Sequence, residues 1–378
     1  MGRGVQLCFV VASPMTALFF LQAHIRAALQ FYEVTVVAKG PFPEALRRAC
    51  IGATLVSVGI ERKISVWADL KALWQLYLLF RRERYDIVHS VSPKAGLLAM
   101  VAARIASLPH RVHTFTGQVW VTQRGWRRFL LKKIDCLLAA LATDSLIDSP
   151  SQKEFLAIEG VCPAERATVI GHGSICGVDA TRFHPDGTWR DTTREELGIP
   201  PQACMVLYLG RLNSDKGIMD LAMAFRQLGS DAQDAWLVLA GPDEASIVDE
   251  VRRVVPPERL RYVGQTDTPE HLMAAADLIC LPSYREGFGM VLIEAAATGI
   301  PAVASRIYGI TDAVVDGETG LLHSPGDISG LKLALHQLIG NSELRRTMGE
   351  KARIRALRDF SEISVTEGLM GFYGKIIH

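Results

Sequence analysis

Short apolar runs recur along the chain, each about the length of a buried strand and each separated from the next by a stretch with helical spacing. In the first half they fall at Val5 to Ala12, Val34 to Ala38, Ile87 to Ser90, Arg111 to Phe115 and Ser145 to Ser149. The second half repeats the plan at Met205 to Gly210, Ala235 to Ala240, Leu260 to Gly264, Leu278 to Pro282 and Ala302 to Ser305. Helical stretches such as Ile218 to Leu228 and His271 to Ala276 lie between them. A helix between successive strands implies right-handed crossovers into a parallel sheet. The pattern therefore predicts an α/β protein with two Rossmann-like, doubly wound parallel-sheet domains whose strand ends face a shared cleft, where ligands of open α/β sheets bind.

Gly171 to Gln202, rich in Gly, Pro, Thr and charge, has no sustained apolar period and reads as the link between the halves. This places the domains at 1–175 and 176–360, followed by a last segment, 361–378, expected to pack back across the first domain. Glu343 to Asp359 reads as an amphipathic basic helix.

With 378 residues, 49% hydrophobic and 21% charged, the chain is neither disordered nor fibrous. Its best apolar window, Leu7 to Leu21, is broken by Ser13, Pro14 and Thr16, so no transmembrane helix is expected. Behind Arg3 the same stretch has the outline of a signal peptide, but a strand ending at a Ser13-Pro14 break fits the start of an α/β domain better. Seven scattered cysteines without a C-x-x-C pair fit a reducing cytoplasm. Net charge is +1, yet residues 1–180 hold 21 Lys or Arg against 13 Asp or Glu, a balance of +8, while residues 181–378 hold 20 against 27, a balance of −7. The N-terminal half should face something anionic.

Familiar nucleotide signatures are missing. There is no G-x-G-x-x-G after a strand, no G-K-[ST] ending, and no D-x-D pair to hold a metal-bound diphosphate. A diphosphate would have to be held by cationic side chains and backbone amides. Gly210-Arg211-Leu212-Asn213-Ser214-Asp215-Lys216-Gly217 places two cations in a strand-to-helix loop; it is either such a clamp or a solvated turn. After the run ending at Pro282, Gly287 and Gly289 allow close backbone approach, and the helix expected from Met290 to Thr298 offers its N-terminus to an anion. Glu286 lies in that loop. Glu294 lies inside the apolar helix, where it needs a partner, either a ligand or a neighbouring loop.

These residues carry a resemblance. GRLNSDKG, EGFGMVLIEAAATGIPAVAS with its E-x7-E, and DGETGLL at Asp316 to Leu322 resemble the nucleotide-sugar domain of family 4 retaining glycosyltransferases of the GT-B architecture. HTFTGQVW at His113 to Trp120 and DSPSQKEF at Asp148 to Phe155 are similar to bacterial transferases that build surface polysaccharides on a polyprenyl carrier. The resemblance implies that the first domain binds the acceptor. It also implies that Arg211 and Lys216 bind the donor diphosphate with help from the Phe288 and Gly289 backbone. Glu286 would contact the donor sugar, Glu294 the ribose, and the Val263 to Gln265 loop would lie near the base.

A His commonly closes the family's motif that stands here as Thr114-Phe115-Thr116-Gly117, so Thr116 departs from the pattern. His113 either substitutes or is a hydrogen-bonded core residue; with His110 it makes an H-x-x-H that a lone strand would not present to a metal. His172 either donates to a sugar or caps a turn. The loop at Ser13-Pro14-Met15-Thr16 replaces the family's Gly-Gly pair.

The resemblance thus implies a cytoplasmic, metal-independent retaining glycosyltransferase without a cofactor. It would move a hexose or N-acetylhexosamine from a UDP-sugar to a lipid-linked saccharide at the inner face of the plasma membrane, with no nucleic-acid partner. A UDP-sugar epimerase on a similar plan would need no acceptor surface, and a silent nucleotide-binding subunit would not need Arg211, Lys216, Glu286 and Glu294 together. Finally, Arg124, Arg127, Arg128, Lys132 and Lys133 interleave with Trp126, Phe129, Leu130 and Leu131, and Arg81, Arg82 and Arg84 form a second cluster. With Trp126, Leu130 and Ile134 on one helical face, the segment suits either an anionic lipid surface or a core helix with a solvated basic edge.

Overall fold

The computed structural model describes residues 4–61 and 65–377; Arg3 and His378 lie outside the described residues. The chain divides into two compact units, Met1–Cys176 with Glu362–His378, and Gly177–Ser361.

In the first unit, β1 (Gln6–Val10), α1 (Pro14–Thr16), α2 (Gln22–Ala28), β2 (Glu33–Ala38), α3 (Glu44–Ala49), β3 (Thr54–Ser57) and α4 (Val66–Glu83) come first. There follow β4 (Ile87–Val91), α5 (Pro93–Ile105), β5 (His110–Phe115), α6 (Gly125–Leu141), β6 (Asp144–Ile147), α7 (Pro150–Ile158) and β7 (Ala167–Thr168). The second unit opens with α8 (Gly187–Leu197), β8 (Cys204–Leu209), α9 (Ile218–Gln227), β9 (Ala235–Ala240), α10 (Ile247–Val254), β10 (Leu260–Gly264) and α11 (Pro269–Ala275). It closes with β11 (Leu278–Leu281), α12 (Met290–Ala297), β12 (Ala302–Ser305), α13 (Ile310–Ala313), β13 (Gly320–His323), α14 (Ile328–Gly340) and α15 (Ser342–Asp359), and α16 (Glu362–Ile377) returns to the first unit.

Among the described residues each unit holds one parallel sheet, of strand order β3-β2-β1-β4-β5-β6-β7 in the first and β10-β9-β8-β11-β12-β13 in the second. Both sheets wind outward from a central pair, β1 with β4 and β8 with β11, so each has a switch point at which chain direction across the sheet reverses. Val206, Leu207, Leu237, Val238, Ile279 and Cys280 are all buried, as strands covered on both faces require. In the first unit one face of the sheet is covered by α4, α5 and α6, around Leu76, Phe80, Ala99 and Leu138. The other is covered by α2 and α16, around Ile25, Leu369 and Tyr373. His24 Nδ1 shares a hydrogen bond of 3.0 Å with the Thr366 hydroxyl, and His89 Nδ1 one with the Tyr373 hydroxyl, so α16 is tied down by polar as well as apolar contacts.

Two expectations need correction. The segment read as the link between the halves, without a sustained apolar period, contains α8, capped by the Asp186 side chain on the Trp189 N–H at 2.9 Å and ended by Gly198 in the left-handed region at φ 63°. Its apolar signal is weak because what it buries is Thr193 and Arg194. The Arg194 guanidinium pairs with Asp277 at 2.6 Å and donates to the carbonyls of Ala203 and Ala275 at 2.9 Å each. Secondly, α15 is not broadly amphipathic. It buries Met348, Gly349, Ala352, Ala356 and Asp359, and Gly349 lets it lie close over the turn after α12. A Cβ on Gly349 would sit 1.9 Å from the Gly299 carbonyl oxygen.

The buried pair sets a stability prediction. Arg194→Met should cost the second unit about 3 kcal/mol, because carbonyls and Asp277 lose a buried partner, whereas Arg190→Met, removing a more exposed partner of Asp277, should cost under about 1 kcal/mol. Urea unfolding read by tryptophan fluorescence checks this, and equal losses would contradict it.

Candidate active site

The loops that leave β8 and β11 emerge side by side, because those strands are neighbours at the second unit's switch point. Gly217 ends the first loop at φ 65°, and a Cβ there would stand 2.1 Å from the Pro282 carbonyl oxygen at the start of the second, so only glycine lets the two backbones meet. Three bonds then lock them, and a fourth braces the second loop from within. Lys216 Nζ pairs with Glu286 Oε1 at 2.5 Å, and the Ser283 hydroxyl donates to the same oxygen at 2.8 Å. Arg285 pairs with Asp215 at 3.2 Å, and the Tyr284 N–H donates to the Asp215 carbonyl at 2.9 Å. Tyr284 also donates its hydroxyl to Asp220 on α9 at 2.5 Å, and that bond, with burial, pushes the phenol up to about 12. Ser283, Tyr284, Arg285, Asp215 and Asp220 were not singled out by sequence reasoning; the first four had only their membership of the two loops as a signal, and Asp220, on α9, had none.

Beyond Glu286 the second loop runs through Phe288, which is buried and packs edge-on against Phe360 at 5.2 Å, to Gly289 at φ 81°. There α12 begins, so its positive end lies at the close of the loop that carries Glu286. Gly309 abuts the same loop: a Cβ on it would stand 2.2 Å from the Gly287 carbonyl oxygen.

Arg211 is held differently. Its carbonyl accepts from the Tyr208 hydroxyl at 2.8 Å, and its half-exposed guanidinium pairs with Glu244 at 2.9 Å. Each cation of the loop thus has its own carboxylate, Lys216 with Glu286 and Arg211 with Glu244. The loop after β9 is close by: a Cβ on Gly241, at φ 130°, would lie 2.0 Å from the Gly210 carbonyl oxygen. Gly241 in turn donates to the Gly264 carbonyl at 2.6 Å, which places exposed Gln265 at the end of the same row of loop starts.

Glu294 is half-buried on α12, and among the described residues nothing donates a hydrogen bond to its carboxylate. Loss of hydration pushes it up from 4.5 to about 7, opposed by the Arg182 guanidinium and reinforced by Glu270. Arg182 and Glu270 themselves pair at 2.8 Å, and Arg182 donates to the Asp267 carbonyl at 3.2 Å, so Glu294 faces the loop between β10 and α11. Arg182 and Glu270 were also missed, because no motif marks them. An unpaired carboxylate in that setting calls for hydroxyl or amide donors from a ligand.

The remaining expected residues belong to the first unit. His113 is a buried core histidine. Its Nδ1 is hydrogen-bonded to the Ser90 hydroxyl at 2.8 Å, its ring stands edge-on to Phe115 at 4.7 Å, and a Cβ on Gly96 would press to 2.4 Å from it. Burial pushes the imidazole down to about 3, so it stays neutral, with its Nδ1 committed to Ser90. Thr116 is half-buried, with its carbonyl accepting from the side-chain amides of Gln118 at 2.6 Å and Gln152 at 2.8 Å. His172 is exposed, in a turn closed by the Gly173 N–H on the Ile170 carbonyl at 3.0 Å. The basic run of α6 also divides. Arg128 and Lys132 turn inward to Glu159 at 3.1 and 2.6 Å and lie over the Trp120 ring, while Arg124, Arg127 and Lys133 stay exposed.

Comparison with known proteins follows the same division. Residues 190–355 match the family described as glycosyl transferases group 1, and residues 22–173 match a glycosyl transferase 4-like domain. A capsular polysaccharide biosynthesis glycosyltransferase of Staphylococcus aureus is 30% identical over 323 residues, 85% of this chain and 84% of that protein. The UDP-Gal:alpha-D-GlcNAc-diphosphoundecaprenol alpha-1,3-galactosyltransferase of Escherichia coli is 27% identical over 320 residues, 82% of this chain and 81% of that protein. Among solved structures, Anabaena HepE in complex with UDP and glucose superposes with a TM-score of 0.82 at 19% identity, over 98% of this chain and 99% of that one. Sucrose-phosphate synthase from Thermosynechococcus elongatus gives 0.84 at 21% identity, over 98% and 99%.

The Glu294 carboxyl makes a pH prediction. With a folded value of about 7 against an ordinary 4.5, the folded protein favours the neutral form, so the stability contribution of this group is complete below 4.5 and is lost as pH rises through 7. Glu294→Gln, which keeps the neutral shape, should match the parent in thermal unfolding near pH 4.5 and unfold at a higher temperature near pH 8. A variant less stable at pH 8 would contradict the burial argument.

Proposed function

This chain belongs to the group 1 glycosyl transferases, and from that premise we propose that it transfers a hexose or N-acetylhexosamine from a UDP-sugar, with retention, to a saccharide carried on a polyprenyl diphosphate in surface polysaccharide synthesis. The observation that carries the reading is the Lys216–Glu286 pair at the switch point, beside the N-terminus of α12, with the unpaired Glu294 on the same helix.

Lys216 meets the donor diphosphate by exchanging its carboxylate partner for a phosphate oxygen, and Arg211 adds a second cation. Backbone at Phe288 and Gly289 and the positive end of α12 complete the cradle. These groups stabilise the charge that builds on the departing diphosphate while the sugar passes through an oxocarbenium-like state, so no metal is needed for that task. Glu286, released by Lys216, turns to the donor sugar beside the reacting centre. Glu294 accepts from the ribose hydroxyls, and Gln265 lies toward the base. On the first unit, Thr116 and exposed His172 are assigned to the acceptor, whereas buried His113 is assigned to the core.

Support for the acceptor comes from the relatives, one named for capsule synthesis and one for a diphosphoundecaprenol-linked sugar, and from the +8 balance of residues 1–180, which suits a phosphorylated lipid at the inner face of the plasma membrane. A UDP donor is supported by the neighbour that holds UDP and glucose.

Incubation with a panel of nucleotide sugars and a polyprenyl-diphosphate-linked N-acetylhexosamine, following free UDP and product configuration by NMR, tests the reading. UDP release that requires acceptor, with the anomeric configuration kept, is expected; an epimerised donor or no turnover would overturn it. Charge-assisted bonds are worth roughly 1.5 to 3 kcal/mol, so Lys216→Ala should lower kcat/KM by about 10- to 150-fold. The Arg211→Ala, Lys216→Ala double variant should lose less than the sum of the two. Glu286→Gln should lower turnover far more than UDP affinity, and an effect confined to affinity would contradict its place beside the sugar.

A further inference from the structure

Nine of the twenty large hydrophobic side chains exposed among the described residues lie on two helices of the first unit, α4 and α6. On α4, Trp67, Leu70, Trp74 and Leu78 recur at spacings of three and four and form one outward stripe, with Trp67 84% and Trp74 60% exposed. The opposite side of α4, Ala72, Leu76, Leu79 and Phe80, is buried in the sheet core. On α6, Trp126, at 70% exposure, Phe129, Leu130 and Leu137 make a second outward stripe, while Leu138 and Ala139 face the core. The two helices flank α5 on one face of the sheet, the face opposite to that covered by α2 and α16. Their stripes therefore look out from the same side of the unit.

Cations line both stripes. Lys71, Arg81 and Arg82 are exposed on α4. On α6, Arg127 lies over the Trp126 ring at 5.8 Å and Lys133 over Phe129 at 5.5 Å. The acids of these helices are otherwise engaged: Asp69 pairs with Lys94 at 2.6 Å, Asp135 is buried and accepts from Trp120 Nε1 at 2.8 Å, and Glu83 pairs with Arg82 at 2.6 Å. Exposed tryptophans set among cations, with no acid left facing outward unpaired, match an interface that is apolar at its surface and anionic in its headgroups. A second copy of the chain fits poorly, since a two-fold contact through this face would bring its cations against one another.

We propose that α4 and α6 together form a bilayer-docking face, with the α4 stripe of Trp67, Leu70, Trp74 and Leu78 inserting among the acyl chains and the cations of both helices resting on anionic headgroups. This deepens the lipid-linked acceptor reading and rests on it for the choice of membrane over protein. It differs from a purely electrostatic contact in one respect: part of the binding survives salt.

The test uses the full chain with vesicles of phosphatidylcholine alone and of phosphatidylcholine mixed with phosphatidylglycerol, in sedimentation and in fluorescence quenching by lipids brominated on the acyl chain. Binding to the mixed vesicles, quenching of tryptophan, and a residual bound fraction at high salt are expected of the parent protein. Trp67→Ser with Trp74→Ser should weaken partitioning roughly tenfold or more and remove the salt-resistant fraction. Arg127→Ser with Lys133→Ser should remove the preference for phosphatidylglycerol instead. UDP affinity, measured alongside, should be unchanged in both variants. Absence of quenching in the parent, complete release by salt, or unaltered partitioning of the tryptophan variant would each overturn the proposal, as would tryptophan-dependent self-association without lipid. The parent protein's quenching needs no variant to fold. Because no sugar transfer is read, failure here leaves the transferase assignment standing, and a chain that docks but releases no UDP would overturn that assignment alone.

Discussion

Lys216 and Glu286 stand 70 residues apart in the chain and meet at 2.5 Å, with only 14% of either side chain exposed. Each charge there is compensated chiefly by the other. Their meeting depends on the two backbones touching at Gly217 and Pro282, which depends on β8 and β11 being neighbours, which follows from the doubly wound order of the sheet. The chemistry assigned to the site descends from this one contact. A cation held by a carboxylate is kept in place and hydrated poorly, so a phosphate can take over the lysine at small reorganisation, and the same exchange sets Glu286 loose where the sugar lies.

Around that pair the loops are braced rather than floppy. Tyr284 on Asp220 and Arg285 on Asp215 tie the second loop to the first and to α9, while Gly241 and Gly309 let two further loops close in at backbone distance. Glu294 is the contrast. It lies on a helix among Leu292, Ile293 and Ala295, has the Arg182–Glu270 pair before it, and keeps its carboxylate without a donor. That contrast is why the proposed reading gives this side chain to the ligand.

What the sequence made legible follows from what is local. Fully buried strands such as β8, β9 and β11 stand out as unbroken apolar runs, and the loop residues Arg211, Lys216 and Glu286, with Glu294 on α12, were singled out because motif and position coincide. What escaped was long-range or unconventional burial. α8 was read as linker because its buried contact is the Arg194 guanidinium on Asp277, not an apolar stripe. β3, short and at the sheet edge, has little apolar signal. His113 was open between core and site until Ser90, Gly96 and Phe115 were seen to enclose it. The Trp67–Leu78 stripe of α4 has the same spacing as a core stripe, and only the fold reveals that it points outward.

On the proposed reading the donor diphosphate replaces Glu286 as the partner of Lys216. A crystal structure of the protein with UDP measures this directly. The account predicts a diphosphate oxygen on Lys216 Nζ, Glu286 no longer bonded to it, and the ribose hydroxyls on Glu294. UDP bound elsewhere, or bound here with the Lys216–Glu286 pair intact, would contradict it.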